Sequence, residues 1–335
     1  MQINKVIKYF NKYIIFKTND ITLYENLEKE YEDYFKILQN TEMLYPTIKV
    51  MVLNDEKLYN KYFEYINEKK ININVNVKIR RNSIIIIDKK NKEVILIYNK
   101  YSDEKLQHVG EIICGIFGNL LENDGFVFFH AACISKLGKG VLLIGDKKSG
   151  KTSLVLKLLQ NGYDLLANSQ IGIKENIAVA IPTRIGIRNI SLNNKLIEDK
   201  FIKQIKNTNG YKEFLIKDKK YNKEEKFNLK VNEIKNIFYN NNISKTRINL
   251  IINMNFTYNK KILIREMSRE EIIEILLNNR REGVYQPVNY INYLFDKKKN
   301  EKLDIIMKLD FKGYKVFQSN IQGEILELIE KEIEG

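Results

Sequence analysis

"LLIGDKKSGKTSLVLKLLQNGYDLLANSQIGI", residues 142 to 173, decides how this chain is read. An apolar strand runs into Gly145-Asp146-Lys147-Lys148-Ser149-Gly150-Lys151-Thr152, which satisfies G-x-x-x-x-G-K-[ST]. A helical stretch follows from Lys151 to about Gln160 and stops at Asn161 and Gly162, a C-terminal cap signal, before the strand "YDLLA". Strand, glycine-rich loop, helix and strand form the context in which such a loop surrounds a phosphate. The glycines let backbone N–H groups turn inward, and the positive end of the helix adds to their field. In that reading Gly145 to Ser153 bind a nucleotide, Lys151 sets a point charge against the outer phosphates, and Thr152 offers a hydroxyl to Mg²⁺. No Asn-Lys-x-Asp guanine motif occurs, since "NNKLIEDK" (193 to 200) has the wrong spacing, so ATP is the expected nucleotide.

At 335 residues, 44% of them hydrophobic, the chain is long enough for two domains with buried cores. Three prolines and the lack of low-complexity tracts speak against long unstructured linkers. The N-terminus, "MQINKVIKYFNKYIIF", is broken by lysines before any apolar run reaches signal-peptide length. No later run reaches a membrane span, so a soluble, cytoplasmic protein without a membrane partner is expected. Cys114 and Cys133 fit no disulfide or metal pattern and read as small core residues. The formal charge of +14 suits an acidic partner, but basic segments such as "KDKKYNKEEKFNLK" (217 to 230) are interleaved with acids. They read as a solvated mixed-charge surface rather than a nucleic-acid patch.

Upstream, "TIKVMVLN" (47 to 54) reads as a strand, "EKLYNKYFEYINEKK" (56 to 70) as an amphipathic helix, and "NSIIIIDKKNKEVILIYN" (82 to 99) as two strands joined by a polar turn. Residues 1 to 100 are therefore expected to form a smaller α+β domain suited to partner recognition, and residues 101 to 335 the loop-bearing α/β domain. A helix should start after Ser102 and run to about Leu121, with Leu106, Val109, Ile113, Ile116, Phe117 and Leu120 on one face packed into the loop's own core. His108 lies off that stripe and reads as solvated. Residues 190 to 245 are Lys/Asn-rich with weak periodicity and read as a polar insertion or surface region. Beyond them, "RINLIINMNF" (247 to 256) is a buried-strand pattern, and Ser268 with Glu271 forms a capping box, stapled by Met267 and Ile272. A strand at "YKVFQ" (314 to 318) and the helix "EILELIEKEIE" (324 to 334) close the chain.

Residues 125 to 190 resemble the catalytic domain of HPr kinase and its relatives, including HPr-kinase-like proteins found with peptide-modification gene clusters. The resemblance rests on His130 in "FFHAACIS", the turn "GKG", the loop "GDKKSGKT", the helix ending "LLQNGYDLL", and Pro182 in "AVAIPTRIGI". It implies a P-loop domain of HPr-kinase type, ATP and Mg²⁺ as cofactors, and a peptide, protein or small hydroxyl substrate, with a homo-oligomer compatible with the same reading. In that family the strand after the helix ends in an Asp-Asp pair, the first accepting a proton and the second helping to organise the metal. Asn168 and Ser169 stand at those positions here, and "PTRIGIRN" replaces the family's Glu-x-Arg-Gly signature, so HPr itself is not the expected substrate. From the residues alone, a lone histidine ending an apolar strand reads as a hydrogen-bonded core residue; the resemblance sets His130 beside the phosphates. The candidate catalytic residues are His130, Asn168 and Ser169, the candidate metal ligand is Thr152, and Arg184 and Arg188 are candidate contacts to phosphate or a peptide substrate. Two functions compete: a kinase-like transferase, and a catalytically degenerate nucleotide-binding scaffold or regulator. A nucleic-acid-binding ATPase rests on the basic charge alone.

Overall fold

The N-terminal runs alternate apolar and polar residues with period two, and they pair as strands. A computed structural model describes residues 2–39, 48–67, 75–188, 192, 197–216, 226–257, 262–281, 286–295, 302–318 and 323–335. The chain is a mixed α/β protein with two compact units, Met1–Asn123 with Gly283–Lys299, and Asp124–Glu282 with Asn300–Gly335.

The first unit contains β1 (Ile3–Tyr9), β2 (Lys12–Thr18), α1 (Ile21–Tyr31), β3 (Lys36–Gln39), β4 (Ile48–Asn54), α2 (Glu56–Asn67), β5 (Val75–Arg80), β6 (Ser83–Asp88), β7 (Glu93–Tyr98) and α3 (Asp103–Asn123). Its sheet runs β3-β1-β2-β4-β7-β6-β5, with β4 parallel to both of its neighbours. The strand expected from Thr47 and the helix expected to Lys70 are present over 48–54 and 56–67; position 47 and positions 68–70 lie outside the described residues.

Helix α3 departs from expectation in two ways. It belongs to this unit rather than to the loop's core: Tyr31 of α1 lies so close to Gly110 that a Cβ there would sit 2.3 Å from its Oη, and Phe117 meets Tyr9 and Phe35 at 5.5 and 5.2 Å between ring centroids. The boundary drawn at residue 100 therefore moves to 123/124. The helix is also buried beyond one stripe, because the 3-10 turn Gln286–Leu294 returns to this unit and packs along it.

His108 is accordingly not solvated but fully buried, its Nε2 2.8 Å from the Tyr290 hydroxyl. Neighbouring polar groups are also tied: Arg81 pairs with Glu111 at 3.0 Å, Lys105 donates to the Arg81 carbonyl, and Asn119 donates to Asn292 Oδ1 at 3.0 Å. Burial first, then the cations Arg81, Arg80 and Lys105, push the His108 pKa from 6.5 down to about 3. Between those values the unfolded chain binds a proton that the folded one does not, so this group removes stability as pH falls, by about 1.4 kcal/mol per unit. His108→Gln keeps a partner for Tyr290 and does not titrate. Denaturant unfolding at pH 7.5 and 5.0 is expected to show the variant losing about 2 kcal/mol less than wild type; equal losses would show that His108 is already exposed to protons in the folded state.

The second unit contains β8 (Val127–Phe129), β9 (Ala132–Lys136), β10 (Lys139–Gly145), α4 (Lys151–Gln160), β11 (Asp164–Ala167), β12 (Ile171–Lys174), β13 (Ile177–Ala180), β14 (Ile185–Arg188), α5 (Asp199–Asn207), α6 (Asn209–Ile216), β15 (Lys226–Leu229), α7 (Val231–Phe238), β16 (Lys245–Phe256), β17 (Leu263–Glu266), α8 (Arg269–Asn279), α9 (Lys302–Met307), β18 (Lys312–Gln318) and α10 (Gly323–Glu334). Its sheet runs β11-β9-β10-β16-β13-β12-β8. The long strand β16 carries β10 on one edge and, on the other, β13 antiparallel near its start and β18 parallel along its second half. The strands β10, β16 and β18 are mutually parallel, so their C-terminal ends open at one edge, and Gly145 ends β10 there.

Residues 190 to 245 are not a loose insertion where they are described. Phe201 and Ile205 of α5, Tyr211 of α6, Phe227 and Leu229 of β15, and Ile234, Ile237 and Phe238 of α7 join the main core with Leu154, Leu158 and Val316. Positions 189–191, 193–196 and 217–225 lie outside the described residues. The α8 start follows its sequence signal: Ser268 Oγ accepts from Glu271 N and Glu271 Oε2 accepts from Ser268 N. Cys114 and Cys133 are free and buried, and among the described residues no helix is long and apolar enough to cross a membrane.

Candidate functional site

Gly145 ends β10 opposite Met254 of β16. Its φ is +144°, and a Cβ would lie 2.2 Å from the Met254 carbonyl oxygen, so no other residue fits there without moving the strand. The chain then doubles back: Ser149 N donates to the Asp146 carbonyl at 3.1 Å, Lys148 takes a left-handed φ of +76°, and Gly150, at φ +95°, is the N-cap of α4. The first N–H groups of α4 have no acceptor four residues earlier, and the turn gathers them at the positive end of a ten-residue helix. The stretch from Gly145 to Ser153 thus runs from the end of β10 through a tight turn into the first residues of α4, with Lys147 and Lys148 exposed on its rim.

Lys151 is only 9% exposed, and its Nζ donates to the carbonyls of Gly145, at 2.5 Å, and Asp146, at 2.9 Å. Burial holds its pKa below the ordinary lysine value, and Asp146 pulls weakly the other way. The ammonium is fixed across the loop by its own backbone, a geometry that places a positive charge where an anion held by the loop N–H groups would bind.

The strand after α4 brings the next residues to the same place. Asn168, immediately past β11, donates from Nδ2 to Thr152 Oγ1 at 3.2 Å, while its Oδ1 is buried without a hydrogen-bond partner. The Ser169 hydroxyl is hydrogen-bonded to Thr183 Oγ1 at 2.8 Å, and the Ser169 carbonyl lies 3.2 Å from His130 Nδ1. A carbonyl only accepts, so Nδ1 carries the proton and Nε2 keeps its lone pair. Burial, then Lys151 and Arg281, hold the His130 pKa below its usual value, and the ring is neutral at pH 7.

The last residue of α8 and the two that follow it, 279–281, lie beside β8: His130 N donates to the Asn279 carbonyl at 2.9 Å, and Arg281 N donates to the Phe128 carbonyl at 2.7 Å. They bring Arg281 into the field of His130. Of the two predicted arginines, Arg184 is half-buried ahead of β14 and Arg188 ends it, directly across from Lys226 on the β14–β15 ribbon. Lys226 also acts on His130. Thr183, Arg281 and Lys226 were not singled out in the sequence. Thr183 had no signal beyond its place beside Arg184, and the other two approach His130 only through tertiary structure.

Mg²⁺ takes hard oxygen ligands and usually keeps waters and substrate phosphates around it. Thr152 Oγ1 and the unpartnered Asn168 Oδ1 are neighbouring neutral oxygens of that kind. They fit a Mg²⁺ whose charge is balanced by phosphates. Among the described residues no group of three or more His, Cys, Asp or Glu side chains is placed to hold a metal ion.

No family model matches the chain, and no curated protein matches it. Among solved structures, the Hpr(Ser) kinase/phosphatase from Coxiella burnetii is similar at 14% identity, over 62% of this chain and 93% of that one, with a TM-score of 0.30. At that score the likeness carries no weight for site or activity, and the functional reading stands on the residues of this chain.

Proposed function

We propose that this protein binds Mg·ATP at the Gly145–Thr152 loop and transfers its terminal phosphoryl group slowly to a hydroxyl on a peptide, a protein or a small molecule. The observation that carries this reading is Lys151, buried and held across a loop that only glycine at 145 allows to close on β16. Catalysis of phosphoryl transfer is mostly positioning and charge stabilisation. Lys151 and the loop N–H groups are placed to stabilise the charge developing on the phosphate oxygens. When bound, Mg²⁺ would neutralise further charge there, held by Thr152 Oγ1 and Asn168 Oδ1. The acceptor oxygen bonds to the terminal phosphorus as the bond to the bridging oxygen breaks, and ADP leaves. Asn168 cannot take the acceptor's proton, whereas the lone pair on His130 Nε2 can. Arg184, Arg188, Lys226 and Arg281 suit an acceptor with acidic groups.

A second reading, a nucleotide-dependent scaffold with no acceptor, is favoured by two contacts. Asn168 donates to Thr152 where a carboxylate would accept, and Ser169 is engaged by Thr183. Both readings share Thr152 as the metal contact. Thr152→Ala is expected to raise the Mg²⁺ concentration that half-saturates ATP binding by about tenfold or more, as losses in a metal's coordination shells commonly do. Magnesium titration at fixed ATP measures it, and an unchanged midpoint would remove Thr152 from the site.

A further inference from the structure

Strand β18 alternates with period two, so Val316 and Gln318 point to one face. Val316 is paired with Met254 of β16, and both side chains belong to the core under α4. Two residues on, where β18 reaches the level of the loop, that apolar stripe ends in a glutamine. Gln318 is 3% exposed, its Oε1 is buried with no hydrogen-bond partner, and its Nε2 would lie 3.4 Å from a Cβ on Gly150. Of the two amide atoms, Oε1 only accepts and could not meet an anion, whereas Nε2, the donor, is the one turned towards Gly150. A buried amide lacking a partner carries a desolvation penalty that leucine or methionine, next to Met254, would avoid. The backbone is pinned, with the Gln318 carbonyl accepting from Thr257 N at 2.8 Å. The side chain is therefore held over Gly150 at a position where packing alone would select an aliphatic residue.

We infer that Gln318 contacts the phosphates: its amide donates to an oxygen of the nucleotide's outer phosphates held over Gly150, adding a donor from the last strand to those of the loop. This rests on the nucleotide reading above and extends the site to a strand that the loop motif does not include. The inference has a signature that a structural role lacks, because removing the amide should leave the unliganded protein intact while weakening the ligand.

The test compares full-length wild type, Gln318→Leu and Gln318→Glu by thermal melting without nucleotide and by calorimetric titration with Mg·ATP. Gln318→Leu is expected to melt at or above the wild-type temperature and to bind ATP about tenfold or more weakly, the usual scale for a hydrogen bond to a charged group. Gln318→Glu, which sets a like charge against the phosphates, is expected to lose more. Wild-type affinity in Gln318→Leu would overturn the inference while leaving the nucleotide reading standing. A Gln318→Leu protein melting well below wild type would assign the amide to packing and overturn it as well. Absence of ATP binding in the wild type itself would overturn the nucleotide reading and, with it, this contact.

Discussion

Lys151→Ala is expected to weaken Mg·ATP binding by about 10²- to 10³-fold, the scale seen when one partner of a desolvated, hydrogen-bonded charge pair is truncated. The side chain is buried, and its ammonium is already aimed by two loop carbonyls, so little ordering remains to be done when a phosphate arrives. Lys147 and Lys148 sit on the rim, where charges are screened and contribute far less. Substituting either of them is a useful control, since it changes the net charge equally without touching the buried donor. Calorimetric titration decides the matter. Unchanged affinity in Lys151→Ala would mean that the nucleotide, if bound at all, binds elsewhere.

Asn168→Asp is expected to raise phosphoryl-transfer turnover by about 10²-fold, the lower end of what a positioned general base contributes. Two physical changes act together. The introduced carboxylate adds a second acceptor for the proton beside His130 Nε2, where the amide adds none. It also reverses the hydrogen bond to Thr152: the amide now donates to Oγ1 at 3.2 Å and occupies one of its lone pairs, whereas a carboxylate would accept from the hydroxyl and free that lone pair for Mg²⁺. ATP hydrolysis, and transfer to hydroxyl-bearing peptides with acidic residues, measured for both proteins, tests this. A wild type that turns over briskly and is slowed by Asn168→Asp would show that the asparagine belongs to a working site, and the slow-transfer account would fall.

The loop was legible in the sequence because its constraints are local: glycines at fixed spacing, a helix cap at Asn161 and Gly162, and a strand on either side. The start of α8 was legible for the same reason, with Ser268 and Glu271 three residues apart. Helix α3 was readable as a helix but not as a member of the first unit, since an apolar stripe does not say which sheet it covers. His108 reads as polar and exposed until Tyr290, 182 positions later, comes to lie against it. Residues 190 to 245 read as polar because Lys and Asn dilute the apolar positions; Phe201, Ile205, Phe227 and Leu229 are spaced for burial but surrounded by charge. Gln318 left a faint trace, a polar residue at the inward phase of "YKVFQ", whose meaning depends on where β18 ends relative to Gly150.

The central claim is that the Gly145–Thr152 turn holds a nucleotide by its phosphates, and titration of the full-length wild-type protein with Mg·ATP in a calorimeter tests it most directly. The account predicts saturable binding of one ATP per chain that is competed by ADP and lost in Lys151→Ala. No saturable binding at millimolar ATP, or binding that survives loss of Lys151 unchanged, would contradict it.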